Sequence, residues 1–342
     1  MKIIKKVIRM GIDLGKNTFH LFGVDKSGLQ VVKKKLRRQQ MLEYFVNLSP
    51  CLIGMEACGG SNYWARELTE LGHEVKLISP QFVKPYVKGN KNDYNDAEGI
   101  CEAVGRPNMR FVTIKTVEQQ DIQGLHRIRQ SVIKQRTALA NQIRGLLGEY
   151  GIVVPKGISQ VRKCIPEILE DAENILTDRF RPWLAELLEA FRALDERIKR
   201  YDREIQHEYT SNEACQRIGA LGGIGPQGAT AIVATYGDCK QYSNGRQFSA
   251  SIGVVPRQHS TGDRPRLLGI SKRGDKYIRT LLIHGARSVI SRVEGKDDRL
   301  SRWLQSLVAR CGKNKAAVAL ANKNARIIWA LLSRGEDYRV AA

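Results

Sequence analysis

No two of the seven cysteines (Cys51, Cys58, Cys101, Cys164, Cys215, Cys239 and Cys311) form a CxxC pair, and none stands with histidines at zinc spacing. The pattern argues against structural zinc and reads as reduced thiols in a cytosolic protein. No apolar run approaches the ~20 residues of a membrane-spanning helix. The basic start MKIIKKVIRM lacks the continuous apolar core and small-residue cleavage site of a signal peptide. The expectation is a cytoplasmic protein with no membrane partner. What the chain has in abundance is positive charge, 56 Lys+Arg against 35 Asp+Glu, for a formal net charge of +21. From Cys215 onward 22 Lys/Arg face 8 Asp/Glu. A folded region that basic is most economically a polyanion binder, with nucleic acid ahead of a membrane surface. The 342 residues allow two or three domains with real cores.

The first third reads as alternating short elements. Residues 7–13, 19–24 and 29–34 are strand-like runs joined by tight turns, with Asp25-Lys26-Ser27-Gly28 as the second turn signal. A helical pattern follows over 39–47, then a strand CLIGME over 51–56. A helix starts at Ser61-Asn62 and stops at Gly72, and a strand over 73–79 is closed by Pro80. A three-stranded meander followed by helix, strand, helix, strand is the order of a ribonuclease-H-like sheet, in which the first and fourth strands are neighbours. Asp13 on the first would then meet Glu56 at the end of the fourth. After a polar, glycine-bearing loop over 88–92, Asp93 and Asp96 sit three apart on one face of a helix start. Alone, each acid could be a turn cap or a helix-terminus charge. Four converging carboxylates would repel unless divalent cations lay between them. Mg²⁺ prefers such hard oxygen ligands and bridges them to phosphate, and a pair of ions can stabilise both oxygens of a phosphodiester displacement.

A short exit strand or linker is expected over 111–115 and one long helix over 117–150. After a break marked by Gly151, Pro155 and Gly157, a second long helix runs from about Pro182 to Tyr209. Leu184, Leu187, Phe191, Leu194, Ile198, Tyr201 and Ile205 form its near-heptad seam. The pair would be an antiparallel hairpin or a dimerising coiled coil. The last domain opens on RIGALGGIGPQGATAIVATYGD (217–238), a glycine turn between two short apolar helices. That matches a helix-hairpin-helix, whose turn, including Gly223 and Gly225, offers backbone N–H groups to a phosphate. Beyond Pro256 comes the polar loop RQHSTGDRPR. Arg257, His259, Ser260, Thr261, Arg264 and Arg266 crowd there, followed by Lys272, Arg273 and an apolar helix with Tyr277, Ile278, Leu281 and Leu282. A hydroxyl among arginines suits either a nucleophile attacking a phosphodiester or a phosphate-gripping loop. The overall expectation is α/β plus α: a metal domain over 1–112, a long-helix middle over 113–212 and a mostly helical domain over 213–342.

The segments GIDLGKNTFH, GMEACGGSNYWARELTELGHEV, KNDYNDAEGICEAV, LGGIGPQGA, VVPRQHSTG and LLGISKRGDKYIRTLLIHGAR together resemble insertion-sequence transposases with a DEDD, RuvC-like domain, a coiled coil and a serine-bearing C-terminal domain. These are the RNA-guided bridge recombinases, and the PRQHS[ST]G spelling resembles one subgroup of them. The resemblance spans nearly the whole chain. It implies Asp13, Glu56, Asp93 and Asp96 as a Mg²⁺-binding set, with Mn²⁺ a possible substitute. It also implies a loop serine forming a covalent 5′-phosphoserine with DNA, with Ser260 the first choice and Thr261 the second, since register decides between the adjacent hydroxyls. Donor and target DNA, a structured noncoding guide RNA and a homodimer pairing into a homotetramer are implied as partners, in the bacterial cytoplasm at the nucleoid.

Rival readings remain. GIDLGKNT also resembles the first phosphate loop of sugar-kinase and actin-like ATPases, but no second acidic, glycine-rich loop follows in the basic C-terminal half. A junction-resolving nuclease would keep the carboxylates and drop the serine nucleophile. A non-catalytic nucleic-acid-binding protein would need neither.

Overall fold

A computed structural model of the chain describes residues 6–89, 92–262, 264 and 266–339. Two compact units result, one ending at Thr116 and the other starting at Val117.

In the first unit the strands are β1 (Arg9–Leu14), β2 (Thr18–Val24), β3 (Gln30–Arg37), β4 (Leu52–Glu56), β5 (Glu74–Ile78) and β6 (Phe111–Val112). The helices are α1 (Met41–Val46), α2 (Ser61–Glu70), α3 (Pro80–Val83) and α4 (Asp93–Val104). The six strands form one mixed sheet in the order β3-β2-β1-β4-β5-β6. β1, β2 and β3 are an antiparallel meander, β4 and β5 run parallel to β1, and β6 returns antiparallel. Apolar side chains dictate the layering. Met10, Ile12, Phe19, Leu21, Ile53, Met55 and Leu77 are buried with Trp64 and Leu68 of α2. The expected loop over 88–92 falls partly outside the described residues, at positions 90 and 91.

α4 comes unusually close to the sheet. Gly11 and Gly54 are register partners on β1 and β4. A Cβ on Gly11 would stand 2.1 Å from the Ala97 carbonyl oxygen, and one on Gly54 would stand 2.7 Å from the Val104 Cβ. Side chains at these positions would push α4 away; two glycines abreast let it settle onto the backbone.

The second unit is helical: α5 (Val117–Gly148), α6 (Ile158–Glu170), α7 (Phe180–Ser211), α8 (Glu213–Gly219), α9 (Pro226–Tyr236), α10 (Gly245–Ile252), α11 (Lys276–Ile290) and α12 (Arg299–Arg334), with one small hairpin of β7 (Pro256–Gln258) and β8 (Leu267–Ile270). α5 and α7 pack antiparallel within the chain. Arg129 pairs with Asp202 at 2.7 Å, and seven residues on, Arg136 meets Asp195 seven residues back at 2.8 Å. The middle segment expected as its own domain therefore packs in the same unit as the C-terminal helices, with His126 of α5 bridging Thr230 of α9 and Tyr277 of α11 at 3.0 Å each. Thr230 donates to the Pro226 carbonyl, so it accepts from His126 Nε2–H, and His126 Nδ1 accepts from Tyr277. Burial lowers the His126 pKa to about 4, aided by the Arg129 charge; the ring is neutral.

Three expectations are corrected. The expected break after residue 150 contains α6, an amphipathic helix on the same core. The seam of α7 buries Leu188 rather than Leu187, and Asp195 in place of Leu194. A heptad search cannot find an aspartate in a core seam. Asp195 is tolerated because Arg136 and Arg162 both reach it, and although burial pushes its pKa up, hydrogen bonds from these two arginines hold it below the ordinary carboxylate value. The expected polar loop over 257–266 is shorter at its start, since Arg257 and Gln258 belong to β7, and it runs on to β8; positions 263 and 265 lie outside the described residues.

Candidate functional site

At the C-terminal ends of β1 and β4 the strand register sets two acids side by side. Gly11-Ile12-Asp13 and Gly54-Met55-Glu56 run in parallel register through Ile12 and Met55. Asp13 lies two residues beyond its glycine and Glu56 two beyond its own, so both acids share the face that α4 covers. α4 runs back along β1, with Cys101 and Ala97 over Gly11. Its first turn, carrying Asp93 and Asp96, is thereby carried toward Asp13. Asn92 caps that turn, its side chain accepting from the Tyr94 N–H.

The electrostatics record the crowding. The Glu56 pKa is raised, first by burial and then by the charges of Asp13 and Asp96. Cys58, just past β4, is raised by burial and by Glu56 and Asp13. Oxygens of Asp13 and Asp93 and a ring nitrogen of His20 lie within 4.8 Å of one another. Octahedral ligands ~2.1 Å from a magnesium ion stand about 3 to 4.2 Å apart, so this trio fits around one ion after a small contraction. Carboxylates whose charges raise the Glu56 pKa form a donor set that a hard divalent cation would relieve.

No spacing along the chain marks His20 as a partner of the acids. The β1–β2 register places it directly opposite Asp13. It is buried, its Nδ1 lies 3.5 Å from an Asp93 oxygen, and its ring meets Tyr94 edge-on at 4.7 Å. Counting the pairs outward from the Gly15–Thr18 turn would have found it. No local motif marks Lys16 or Arg38 either. They line a cavity of about 370 Å³ with Trp64 and Gly60, beside the end of β1. Leu14 and Phe19 share that lining, so the cavity opens on the α2 face of the sheet, opposite the face of Asp13 and His20.

The remaining expected residues lie in the second unit. Ser260 and Thr261 are exposed on the β7–β8 hairpin. Ser260 Oγ accepts from Gln258 Nε2 at 2.9 Å and from the Arg266 N–H at 3.3 Å, which leaves its own proton free to be donated. Thr261 bridges to Arg264 through the backbone. Arg257, His259, Arg264 and Arg266 are exposed on the same hairpin. Lys272 is exposed, takes up a left-handed backbone (φ 55°) and donates its N–H to the Gly253 carbonyl. Arg273 is exposed beside it, its backbone pressed on Gly253. In the turn between α8 and α9, Gly223 (φ 88°) has a packing reason: its carbonyl oxygen stands where a Cβ of Gly285 in α11 would come within 1.8 Å. Gly225 is exposed at the N-cap of α9.

Two family profiles match. The one described as "Transposase IS116/IS110/IS902 family" spans residues 215–301, the hairpin included, and a DEDD transposase profile of the IS110 type spans 10–152, across all four carboxylates. Curated relatives match end to end. A "Probable family 20 transposase" of Pseudomonas aeruginosa is 50% identical over 97% of this chain and 98% of its own length. The "Transposase for insertion sequence element IS1111A" of Coxiella burnetii is 47% identical over 99% of this chain and 93% of its own. The "Transposase for insertion sequence element IS1328" of Yersinia enterocolitica is 42% identical over 96% and 98%. With such identity sustained along nearly the whole chain, the protein belongs to the IS116/IS110/IS902 family of transposases, enzymes of DNA transposition.

Proposed function

We propose that the protein cuts and rejoins DNA by a divided mechanism, in which a RuvC-like carboxylate site holds divalent metal and a hairpin serine supplies the nucleophile. The observation that carries it is the convergence of acids from β1, β4 and α4, with the Glu56 pKa raised by its neighbours. Asp13, Glu56, Asp93 and Asp96 would hold Mg²⁺, or Mn²⁺ in its place. The metal, when bound, supplies Lewis-acid stabilisation of charge on the phosphate oxygens.

The chain's own residues do the rest. Ser260 Oγ attacks a DNA phosphorus, its proton passing to a nearby base such as His259. The Oγ–P bond forms, the P–O3′ bond breaks, and the 3′ oxygen leaves as a hydroxyl, giving a 5′-phosphoserine. Attack by another strand's 3′-hydroxyl reverses the step and releases Ser260, so no external energy is needed. Arg257, Arg264 and Arg266 offset charge on the phosphorane, and Lys272, Arg273 and the turn at Gly223 and Gly225 hold the DNA backbone. Thr261 is the second choice of nucleophile. Choice of site would rest on a noncoding guide RNA pairing with donor and target DNA, the protein acting as dimers that join into a tetramer at the bacterial nucleoid.

The test is a protein–DNA adduct on a denaturing gel, formed with Mg²⁺ from the element's end sequences and its flanking noncoding RNA. Ser260→Ala abolishes the adduct and Thr261→Ala retains it. The reverse result moves the nucleophile to Thr261. An adduct surviving both substitutions overturns the serine assignment, and undiminished cleavage in EDTA overturns the metal site.

A further inference from the structure

We propose that a groove in the second unit, between the start of α10 and the two limbs of α12, takes up an unpaired nucleotide of a DNA strand. The proposal goes beyond the carboxylate and serine chemistry and does not depend on it. The groove is built by a break. At Gly312 the backbone of α12 leaves helical geometry (φ 81°, ψ 160°). An unbroken helix would separate positions 303 and 323 by about 30 Å, yet the Lys323 ammonium sits 4.8 Å from the centre of the Trp303 ring. The limbs fold back on each other. α10 closes the third side: a Cβ on Gly245 would stand 2.9 Å from the Arg326 carbonyl oxygen, so the helix start lies directly on α12.

The resulting concavity has a volume of about 910 Å³, and its walls include Arg246, Trp303, Asn322, Lys323, Arg326 and Trp329. No carboxylate stands among the lining residues, and among the described residues no ion pair engages Arg246, Lys323 or Arg326. Three uncompensated cations around one apolar hollow select an anion with an apolar body. Trp303 and Trp329 are half-buried, each with ring surface in the wall. Trp329 is locked by its indole N–H donating to the Tyr242 carbonyl at 2.9 Å. Asn322 adds a buried side-chain oxygen with no hydrogen-bond partner among the described residues, an acceptor suited to an exocyclic amine of a base.

Aromatic faces with cations at the rim are the physical signature of single-strand recognition, where bases stack and phosphates pair. A duplex cannot use it, because its bases are stacked on each other. Lys323, now over Trp303, would swing to the phosphate as the base takes its place. Strand cleavage and rejoining leave nucleotides transiently unpaired, which supplies the occupant in a DNA transposase.

The experiment measures binding of fluorescent oligothymidylate, a hairpin duplex and oligouridylate to the full-length protein in EDTA, where cleavage plays no part. Trp303→Ala is expected to weaken oligothymidylate binding by roughly tenfold or more and Trp303→Phe to restore most of it, with duplex binding unchanged. Lys323→Gln and Arg326→Gln, both exposed and free of structural hydrogen bonds in the described residues, each lower the salt dependence of single-strand binding by about one ion. Wild-type affinity in Trp303→Ala and Lys323→Gln overturns the proposal, as does an equal loss for duplex. Tighter, tryptophan-dependent binding of oligouridylate overturns the assignment to DNA.

Discussion

The two units place their candidate functional groups by opposite means. In the first, backbone register does the work: parallel pairing of β1 with β4 and antiparallel pairing of β1 with β2 bring Glu56 and His20 to Asp13, and all are at least partly shielded from solvent. In the second, helices pack into a core and leave Ser260, Thr261 and six basic side chains exposed on a hairpin and turns. The comparison teaches where charge can be kept. Like charges can be pressed together only where a rigid sheet holds them and a cation can enter. Cations meant for a long polyanion belong outside, where they stay hydrated until it arrives.

The largest expected effect tests the first half of that contrast. Asp13→Asn should lower strand transfer by about 10³-fold or more, an effect of ~4 kcal/mol on the barrier. The same change removes a charge that raises Glu56, so in EDTA the variant should melt no lower than wild type. It should also lose the stabilisation that a divalent cation bound at the carboxylates would give, about 1.4 kcal/mol at ten times Kd. A variant that melts well below wild type in EDTA would make Asp13 a structural residue and break the comparison.

Next come the glycines that let helices meet backbone. Gly11→Ala and Gly285→Ala would each drive a Cβ into a backbone oxygen, at 2.1 and 1.8 Å. Each should cost about 3 kcal/mol or more in denaturant unfolding. With two units in the chain, Gly11→Ala should shift the transition of the sheet and Gly285→Ala that of the helices. A single transition lowered equally by both would show the units to be energetically one.

A smaller effect belongs to the helical unit alone. His126 binds its proton more weakly when folded, with a pKa of about 4 against an ordinary 6.5. The unfolded chain therefore holds more protons between these values. The contribution is fully present above pH ~6.5 and is lost as pH falls toward 4, amounting to about 3 kcal/mol. His126→Gln should flatten that dependence in helix unfolding followed by circular dichroism; an unchanged slope would show that another group carries it. Smallest of all, Ser260→Ala should alter unfolding by no more than ~0.5 kcal/mol, since the side chain is exposed. A larger loss would mean that Ser260 serves to hold the hairpin.

The sheet was legible because apolar runs, turns and two crossover helices leave few arrangements, and those arrangements set Asp13 beside Glu56. His20 was hidden because its partner is set by pairing across a turn, not by spacing along the chain. Asp195 was hidden for a related reason: its two arginines come from α5 and α6, and no local pattern marks a carboxylate that distant cations will neutralise. The basic hairpin was visible as composition, while its strands, short and exposed, left no apolar alternation to read.

The sequence by itself determined the class of the protein: an α/β part followed by helices, a strong positive charge, four acids at strand and helix ends, and motifs dense enough to point to a transposase family. Those follow from local chemistry, which periodicity and composition record directly. Only the tertiary structure decided that α4 lies on Gly11 and Gly54, that His20 faces Asp13, that an aspartate can sit in a helical seam, and that a break at Gly312 folds two tryptophans and three cations around one groove. Each depends on atoms far apart in the chain coming within a few ångströms, and that is fixed by packing and register rather than by any neighbouring residue.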